Sequence, residues 1–393
     1  MIAFPNIRKI VCLSLLFTFH FSLFSFASAQ AQPLSDEATA SVLTCGPGAD
    51  FYTSFGHSAI RISDPVNGLD LVYNYGTFDF STPHFYWTFM RGRLDYCLSR
   101  TTYAEFVDEY AWEGRQVSEQ PLAFEAGQVQ NLFLLLETNY LPQYRNYRYD
   151  FLRDNCATRV RDIVYSAWAN DTILQRPSEP MSYRQLLATC LHDSLEWWRL
   201  GVDLLLGLPA DHRCTTPERM FLPAEMEAEL AQCTTSGTWS SPYIVGPRHE
   251  LLPWTRQPLK TSFPPVVVFS LLFAVIAVLT ACANRLNIKP SVFNFIDRFL
   301  FILAGICGLF LCFMWFGTNH YCTAWNFNIL WLSPLLILIA IRLERSPRWA
   351  LWLQEAMFLA AAVWVLWCHL TIAIIPLIIT LMLRVGALIK RKW

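Results

Sequence analysis

The sequence predicts a chain in two parts, an α+β domain outside a membrane followed by an all-α domain within it. Three observations lead there. Of the 393 residues 54% are hydrophobic and only 16% charged, which is too apolar for one ordinary soluble domain. The apolar excess lies at the two ends of the chain rather than throughout. Between the ends, short runs of alternating apolar and polar residues give way to runs with helical period.

At the N-terminus, Arg8 and Lys9 precede an uncharged run from Ile10 to Phe26 and then Ala27-Ser28-Ala29-Gln30. Charged, apolar, then small is the order of a cleavable secretory signal. Residues 1–29 are therefore expected to be removed, taking Cys12 and His20 with them. No Cys follows the cleavage site, so the chain is not expected to be a lipoprotein itself.

The outer domain, residues 30–235, starts with strands. Val42 to Cys45 runs into the turn Gly46-Pro47-Gly48, and Phe55-Gly56-His57-Ser58-Ala59-Ile60-Arg61-Ile62 ends in clean alternation. Leu69 to Tyr75 and Leu94 to Leu98 are two more strands, the first entered through Asp64-Pro65-Val66-Asn67-Gly68. Helical period takes over in Tyr103 to Glu113 and Ala126 to Leu141. A further helix begins near Asp154-Asn155, either of which is a good N-cap, and its apolar face is Val160, Ile163, Val164 and Ala167. Cys156 falls in its first turn, where the helix dipole favours thiolate. The Pro-rich, mixed-polarity stretch that follows reads as a helical extension, closed by a linker over residues 236–263.

From residue 264 to 393 the charges almost vanish, and five apolar stretches of roughly membrane-spanning length recur, at 264–283, 299–316, 324–341, 349–367 and 370–389. The connecting cations fix their orientation. Arg285, Lys289 and Arg298, then Arg342, Arg345 and Arg348, then Lys390, Arg391 and Lys392 fall on one side, the cytoplasmic one. The opposite turns, 317–323 and 368–371, carry no Lys or Arg. Both this asymmetry and the signal place residues 30–262 outside, with a cytoplasmic C-terminus. The net charge of −1 and the lack of a basic patch exclude a nucleic-acid partner.

The outer domain holds Cys45, Cys97, Cys156, Cys190, Cys214 and Cys233, in a compartment where disulfides persist. If Cys156 is reserved for chemistry, five remain, so one of these is free or partnered outside the domain. Cys190, Cys214 and Cys233 are the candidates for one structural bridge. Cys190-x-His192 and His212-x-Cys214 also offer zinc-type ligands, but their spacing matches no finger or ribbon, and the disulfide reading is preferred.

Thiol catalysis needs a cysteine of lowered pKa and an imidazole within hydrogen-bond reach, oriented by a third polar group. Cys156 at a helix start and His57 on a glycine-preceded strand meet the type requirement. An external cysteine is more often half of a disulfide, and residue types alone leave both readings open.

Longer blocks narrow the choice. Thr44-Cys45-Gly46-Pro47-Gly48 through Phe55-Gly56-His57-Ser58-Ala59-Ile60-Arg61, Tyr73-Asn74-Tyr75-Gly76-Thr77-Phe78-Asp79-Phe80, Gly92-Arg93-Leu94-Asp95-Tyr96, and Tyr147-Arg148-Tyr149-Asp150-Phe151 through Asp154-Asn155-Cys156-Ala157-Thr158-Arg159 resemble the periplasmic domain of the Bacteroides-type lipoprotein N-acyltransferases. The resemblance covers about residues 40–235. In the membrane part it extends to Thr318-Asn319-His320 and Asn326-Phe327-Asn328 with Leu330-Trp331-Leu332-Ser333-Pro334. It implies a permuted papain-like (NlpC-like) fold, in which histidine precedes cysteine, as in the similar lecithin:retinol acyltransferase.

By the resemblance Cys156 is the nucleophile and His57 the general base and acid. Asn74, on the neighbouring strand, is the candidate for orienting the imidazole, with Tyr73 and Tyr75 as competitors. Asn155 either caps the helix or donates to an oxyanion. Arg159 and Arg161 are phosphate-binding candidates or solvated helix charges. His320, Asn326 and Asn328, in or behind a charge-free external loop, are candidates for holding substrate at the lipid face. The implied activity moves an acyl chain from a phospholipid donor through a Cys156 thioester to the amine of a diacylated lipoprotein, at the bacterial inner membrane, with no cofactor. Two competing readings are a periplasmic cell-wall amidase or peptidase of the NlpC type and a non-catalytic membrane receptor or assembly factor with Cys156 paired to Cys190 or Cys97.

Overall fold

The computed structural model describes residues 33–168, 173–175, 179–191, 195–235, 242–255 and 263–391. The secretory signal expected over 1–29, with Cys12 and His20, lies outside the described residues, as do His192 and Lys392.

The first part is a mixed α/β domain on a seven-stranded antiparallel sheet in the order β6-β4-β3-β2-β1-β5-β9. The strands are β1 (Thr39–Cys45), β2 (His57–Asp64), β3 (Leu69–Thr77), β4 (Asp95–Thr102), β5 (Val117–Pro121), β6 (Asn146–Arg148) and β9 (His249–Leu252), and a separate short pair joins β7 (Ile173–Leu174) to β8 (Thr234–Thr235). Alternation in the sequence sends successive residues to opposite faces. Val42, Ile60, Ile62, Tyr73, Tyr75 and Leu98 face helices α3 (Ala126–Tyr140) and α4 (Cys156–Trp168). Leu43, Cys45, Ala59, Val72 and Val117 face α2 (Tyr103–Glu113) through Phe106 and Tyr110. The central strands thus contribute buried side chains to both faces, while polar residues alternate with these, such as Arg61, which pairs with Asp70 and with Glu119. β9 lies inside the stretch expected as linker, and there it adds an edge strand to the sheet beside β5.

A short helix, α1 (Phe85–Met90), precedes β4. Beyond α4 come α5 (Tyr183–Cys190), α6 (Glu196–Leu205), α7 (Thr216–Arg219) and α8 (Pro223–Leu230). α2 is entered through a reciprocal capping box between Thr102 and Glu105 and closed by Gly114 in the left-handed region.

The second part is helical: α9 (Pro265–Ala281), α10 (Pro290–Phe316), α11 (Leu335–Ile341), α12 (Arg348–Trp367) and α13 (Ile374–Arg391). Three segments, Pro290–Phe316, Tyr321–Ile341 and Arg348–Trp367, are long and apolar enough to cross a membrane. Two of the expected stretches differ in form. The one expected at 299–316 begins nine residues earlier, at Pro290, a favoured first helical residue. The one expected at 324–341 is broken. A 3₁₀ turn over Phe327–Leu330 is separated from α11 by Ser333-Pro334, because Pro334 has no N–H to continue a ladder. Gly308 accepts the close passage of that break, since a Cβ there would stand 1.6 Å from the Leu332 carbonyl oxygen. Asp297 on α10 and Arg384 on α13 form a fully buried bidentate pair at 2.6 and 3.0 Å, and Arg384 also donates to Thr280 Oγ1 on α9 at 2.8 Å.

The two parts are joined at α6. Its residues Leu200, Leu204 and Leu205 enter the apolar core of the helical second part. Asn326 Nδ2 donates to the carbonyls of Leu204 and Leu205 at 2.7 and 3.0 Å, and Asn328 Nδ2 to that of Asp203 at 2.9 Å. Asp203 in turn accepts from Arg184 and from the Thr371 amide.

Candidate active site

Two glycines shape the meeting point of β2, β3 and α4. Gly56 has φ +82°, and a Cβ there would lie 2.8 Å from the Cys45 carbonyl oxygen, so only glycine lets the chain turn into β2 at His57. Gly76 has φ +89° at the bulge where β3 changes register against β4. A Cβ at Gly76 would lie 3.6 Å from Cys156 Cβ and 3.5 Å from the Tyr149 ring. The bulge therefore brings bare backbone against the thiol-bearing residue.

Cys156 is the first residue of α4 and is buried. Asn155 fixes that helix start: its Oδ1 accepts from the Thr158 amide at 3.0 Å, and its own amide donates to Thr158 Oγ1 at 2.8 Å. Its Nδ2 donates to the carbonyls of Phe151 and Phe221 at 2.9 and 2.8 Å. All of the Asn155 amide's capacity is thus engaged in capping and anchoring. The backbone N–H groups of Ser58, Cys156 and Ala157 act on the Cys156 thiol in the direction that favours thiolate, and the helix it starts packs against β2. Ser58 is the neighbour of His57, so the histidine strand and the cysteine helix converge here.

His57, half-buried, has Nε2 at 3.3 Å from Asn74 Oδ1. With Nε2–H donating to Asn74, the neutral ring keeps its lone pair on Nδ1. Tyr73 and Tyr75, the competitors of Asn74, are engaged elsewhere. Tyr73 donates to Glu137 at 2.5 Å, and the Tyr75 hydroxyl accepts from Asn139 at 2.9 Å.

The electrostatics differ from the thiolate expected at a helix start. Burial pushes the Cys156 thiol up, and the opposing N–H groups and Arg115 do not reverse it. Desolvation and the cation of Arg115 push His57 down to about 4, against the hydrogen bond to Asn74. The resting pair is therefore a neutral thiol and a neutral imidazole. Arg115, only 5% exposed, donates to the Gly46 carbonyl at 2.9 Å and to Glu113 at 2.9 Å, with its guanidinium over the Tyr110 ring. Cys45, opposite His57 in the β1–β2 register, is pushed up to about 12 by burial and is no rival nucleophile.

Arg115, Ser58 and Tyr147 also stand around the thiol; Ser58 and Tyr147 lie within the family-like blocks, which gave them no role, and Arg115 lies outside those blocks. The Tyr147 hydroxyl and Ser58 Oγ are buried without a hydrogen-bond partner among the described residues. Tyr147 OH stands 3.9 Å from where a Gly76 Cβ would be, beside Cys156.

The other candidates lie apart from the thiol or are already bound. Arg159 chelates Asp154 and lies over the Tyr147 ring at 3.9 Å. Arg161 donates to Asp162 at 2.7 Å and to the Pro217 carbonyl. His320 Nε2 sits 3.1 Å from the carbonyl oxygens of both Phe89 and Met90, at the end of α1. Asn326 and Asn328 hold α6. None of the described cysteines forms a disulfide, so the bridge expected among Cys190, Cys214 and Cys233 is not made. Cys233 packs in the core beside α4, whereas Cys190 and Cys214 pack in a different cluster around α5.

Residues 25–189 match the family model described as the Lnb N-terminal periplasmic domain, and residues 257–392 the one described as the Lnb transmembrane domain. No curated protein and no solved structure matches the chain.

Proposed function

Because the chain belongs to the Lnb family, the Bacteroides-type lipoprotein N-acyltransferases, we propose that it moves an acyl chain from a phospholipid to the N-terminal amine of a diacylated lipoprotein through a thioester on Cys156. The observation that carries this reading is the convergence of a cysteine at a helix start with a histidine strand, the histidine hydrogen-bonded to Asn74. The order of those parts, histidine strand before cysteine helix, supports a permuted papain-like arrangement.

Nδ1 of His57 takes the thiol proton as sulfur attacks the ester carbonyl carbon. The hydrogen bond from the Cys156 thiol to Nδ1 tightens when substrate is bound, while Nε2 stays tied to Asn74. The C–O bond then breaks, the lysophospholipid alkoxide leaves with the proton from His57, and the acyl group stays on sulfur. The lipoprotein amine next attacks the thioester and loses its proton to His57; the C–S bond breaks, and that proton returns to the departing sulfur, restoring the Cys156 thiol and neutral His57. The N–H groups aimed at the sulfur, together with the unpartnered Tyr147 hydroxyl, supply donors for the oxyanion of each tetrahedral intermediate. A neutral pair suits an ester in lipid: neither reacting side chain carries a charge until the carbonyl arrives to share it.

Five membrane helices with cytoplasmic connecting cations, the external domain periplasmic and the C-terminus cytoplasmic, complete the reading. Both acyl partners then stay in the bilayer, where binding supplies orientation. His320, Asn326 and Asn328 serve in it by fixing the α1 and α6 contacts of the membrane helices rather than by touching substrate. In a strain carrying only Cys156→Ala protein, lipoprotein N-termini should be diacylated by mass spectrometry; triacylated termini there would overturn the assignment.

A further inference from the structure

The helix α1 presents the densest run of exposed aromatic side chains in the outer domain among the described residues. Tyr86 is 78% exposed, Trp87 52% and Phe89 49%, with exposed Phe80 packed 4.8 Å from Phe85 at the helix start. So much contiguous aromatic surface marks a contact site, and what lies next to it identifies the contact. Trp87 stacks on Phe313 of α10 at 5.9 Å. The Asn319 amide donates to the Arg91 carbonyl at 2.9 Å, and His320 binds the Phe89 and Met90 carbonyls. Phe313 lies between Phe310 and Phe316, which are themselves exposed on a segment apolar enough to cross a membrane. α1 thus docks at a level of α10 that still faces lipid. The helix ends in cations, Arg91 over the Trp87 ring and exposed Arg93, the composition of a helix that lies in the plane of a membrane surface.

We propose that α1 is an in-plane membrane anchor whose Tyr86, Trp87 and Phe89 sit among the lipids of the outer leaflet and deliver phospholipid toward Cys156. A continuous packed aromatic series connects α1 to the thiol: Phe85 to Phe78 at 5.8 Å, Phe78 to Tyr96 at 5.3 Å, Tyr96 stacked on Tyr149 at 4.3 Å, and Tyr149 against Gly76 beside Cys156. Delivery rests on the acyl-transfer reading, whereas the lipid contact does not. A protein occupant would have to enter the headgroup plane beside α10, so lipid is the partner that the position favours.

The test places p-benzoylphenylalanine at position 86 of the full-length protein carrying Cys156→Ala. The protein is held in nanodiscs of phosphatidylethanolamine and phosphatidylglycerol, irradiated, and analysed by mass spectrometry. The same probe at Leu303, exposed on α10, is the lipid-facing control, and at Trp112, exposed on α2, the solvent control. Phospholipid adducts at position 86 should approach those at 303 and exceed those at 112 by at least about tenfold. Adducts no higher than at 112, or cross-links at 86 to a second copy or to a lipoprotein peptide in place of lipid, would overturn the proposal. Because the nucleophile is absent, this outcome is independent of whether Cys156 performs acyl transfer.

Discussion

Arg115 acts on both His57 and Cys156, disfavouring the imidazolium of the first and favouring the thiolate of the second. Its effect has a defined sign in pH. An unfolded histidine takes its proton near 6.5, whereas His57 in the folded chain does so at about 4. Between these values the unfolded state binds more protons. The contribution of His57 to stability is therefore complete above about pH 6.5 and is lost as pH falls toward 4. Replacing Arg115 by Met should raise the His57 midpoint, read by NMR titration, and move the acid limb of kcat/KM upward with it; Arg115→Lys, which retains the charge, should leave both low. Asn74→Ala frees the ring to rotate and should lower kcat/KM by ~10²-fold while leaving thermal stability nearly unchanged. At this scale the sequence revealed residue types and their neighbours, enough to nominate Cys156, His57 and Asn74. It could not reveal Arg115, because an Arg after a helix-closing glycine looks ordinary until the fold brings it to the thiol, and it flagged Tyr147 only as part of a family-like block, without a role.

At the scale of elements, the strands and helices of the outer domain follow from period and turn chemistry. The departures have local causes: a break at Pro334 and an early start at Pro290. The aromatic concentration from Phe78 to Phe89 was visible in the sequence, yet its meaning depends on docking against Phe313, which no periodicity encodes. The Asp297–Arg384 pair was likewise hidden, since an acid 87 residues from its partner carries no local signal. Asp297→Leu leaves Arg384 buried without its counter-ion and should cost ~3–5 kcal/mol. Adding Arg384→Met should restore most of that loss in the thermal unfolding of detergent-solubilised protein. If the single and double variants unfold alike, the pair does not bind α10 to α13.

At the scale of the whole molecule, α6 and the Asn326–Asn328 turn couple the two parts. Gly207, just past α6, passes so close to the membrane helices that a Cβ would stand 1.8 Å from the Ala324 carbonyl oxygen. Gly207→Val should therefore separate the parts and expose the 205–210 stretch to protease without unfolding the sheet domain. The two-part layout was legible from the distribution of apolar residues, because membrane-spanning length is a property of composition. How the parts dock was not, because it depends on single carbonyls of α6 meeting single amides.

The central claim is that Cys156 carries the acyl group. Purified protein in phospholipid nanodiscs without lipoprotein acceptor, quenched and examined by peptide mass spectrometry, should show a fatty-acyl mass on the Cys156 peptide. That mass should disappear with neutral hydroxylamine and be absent from Cys156→Ala and His57→Asn proteins. An unmodified Cys156 in active protein, or an acyl group on another residue, would contradict it.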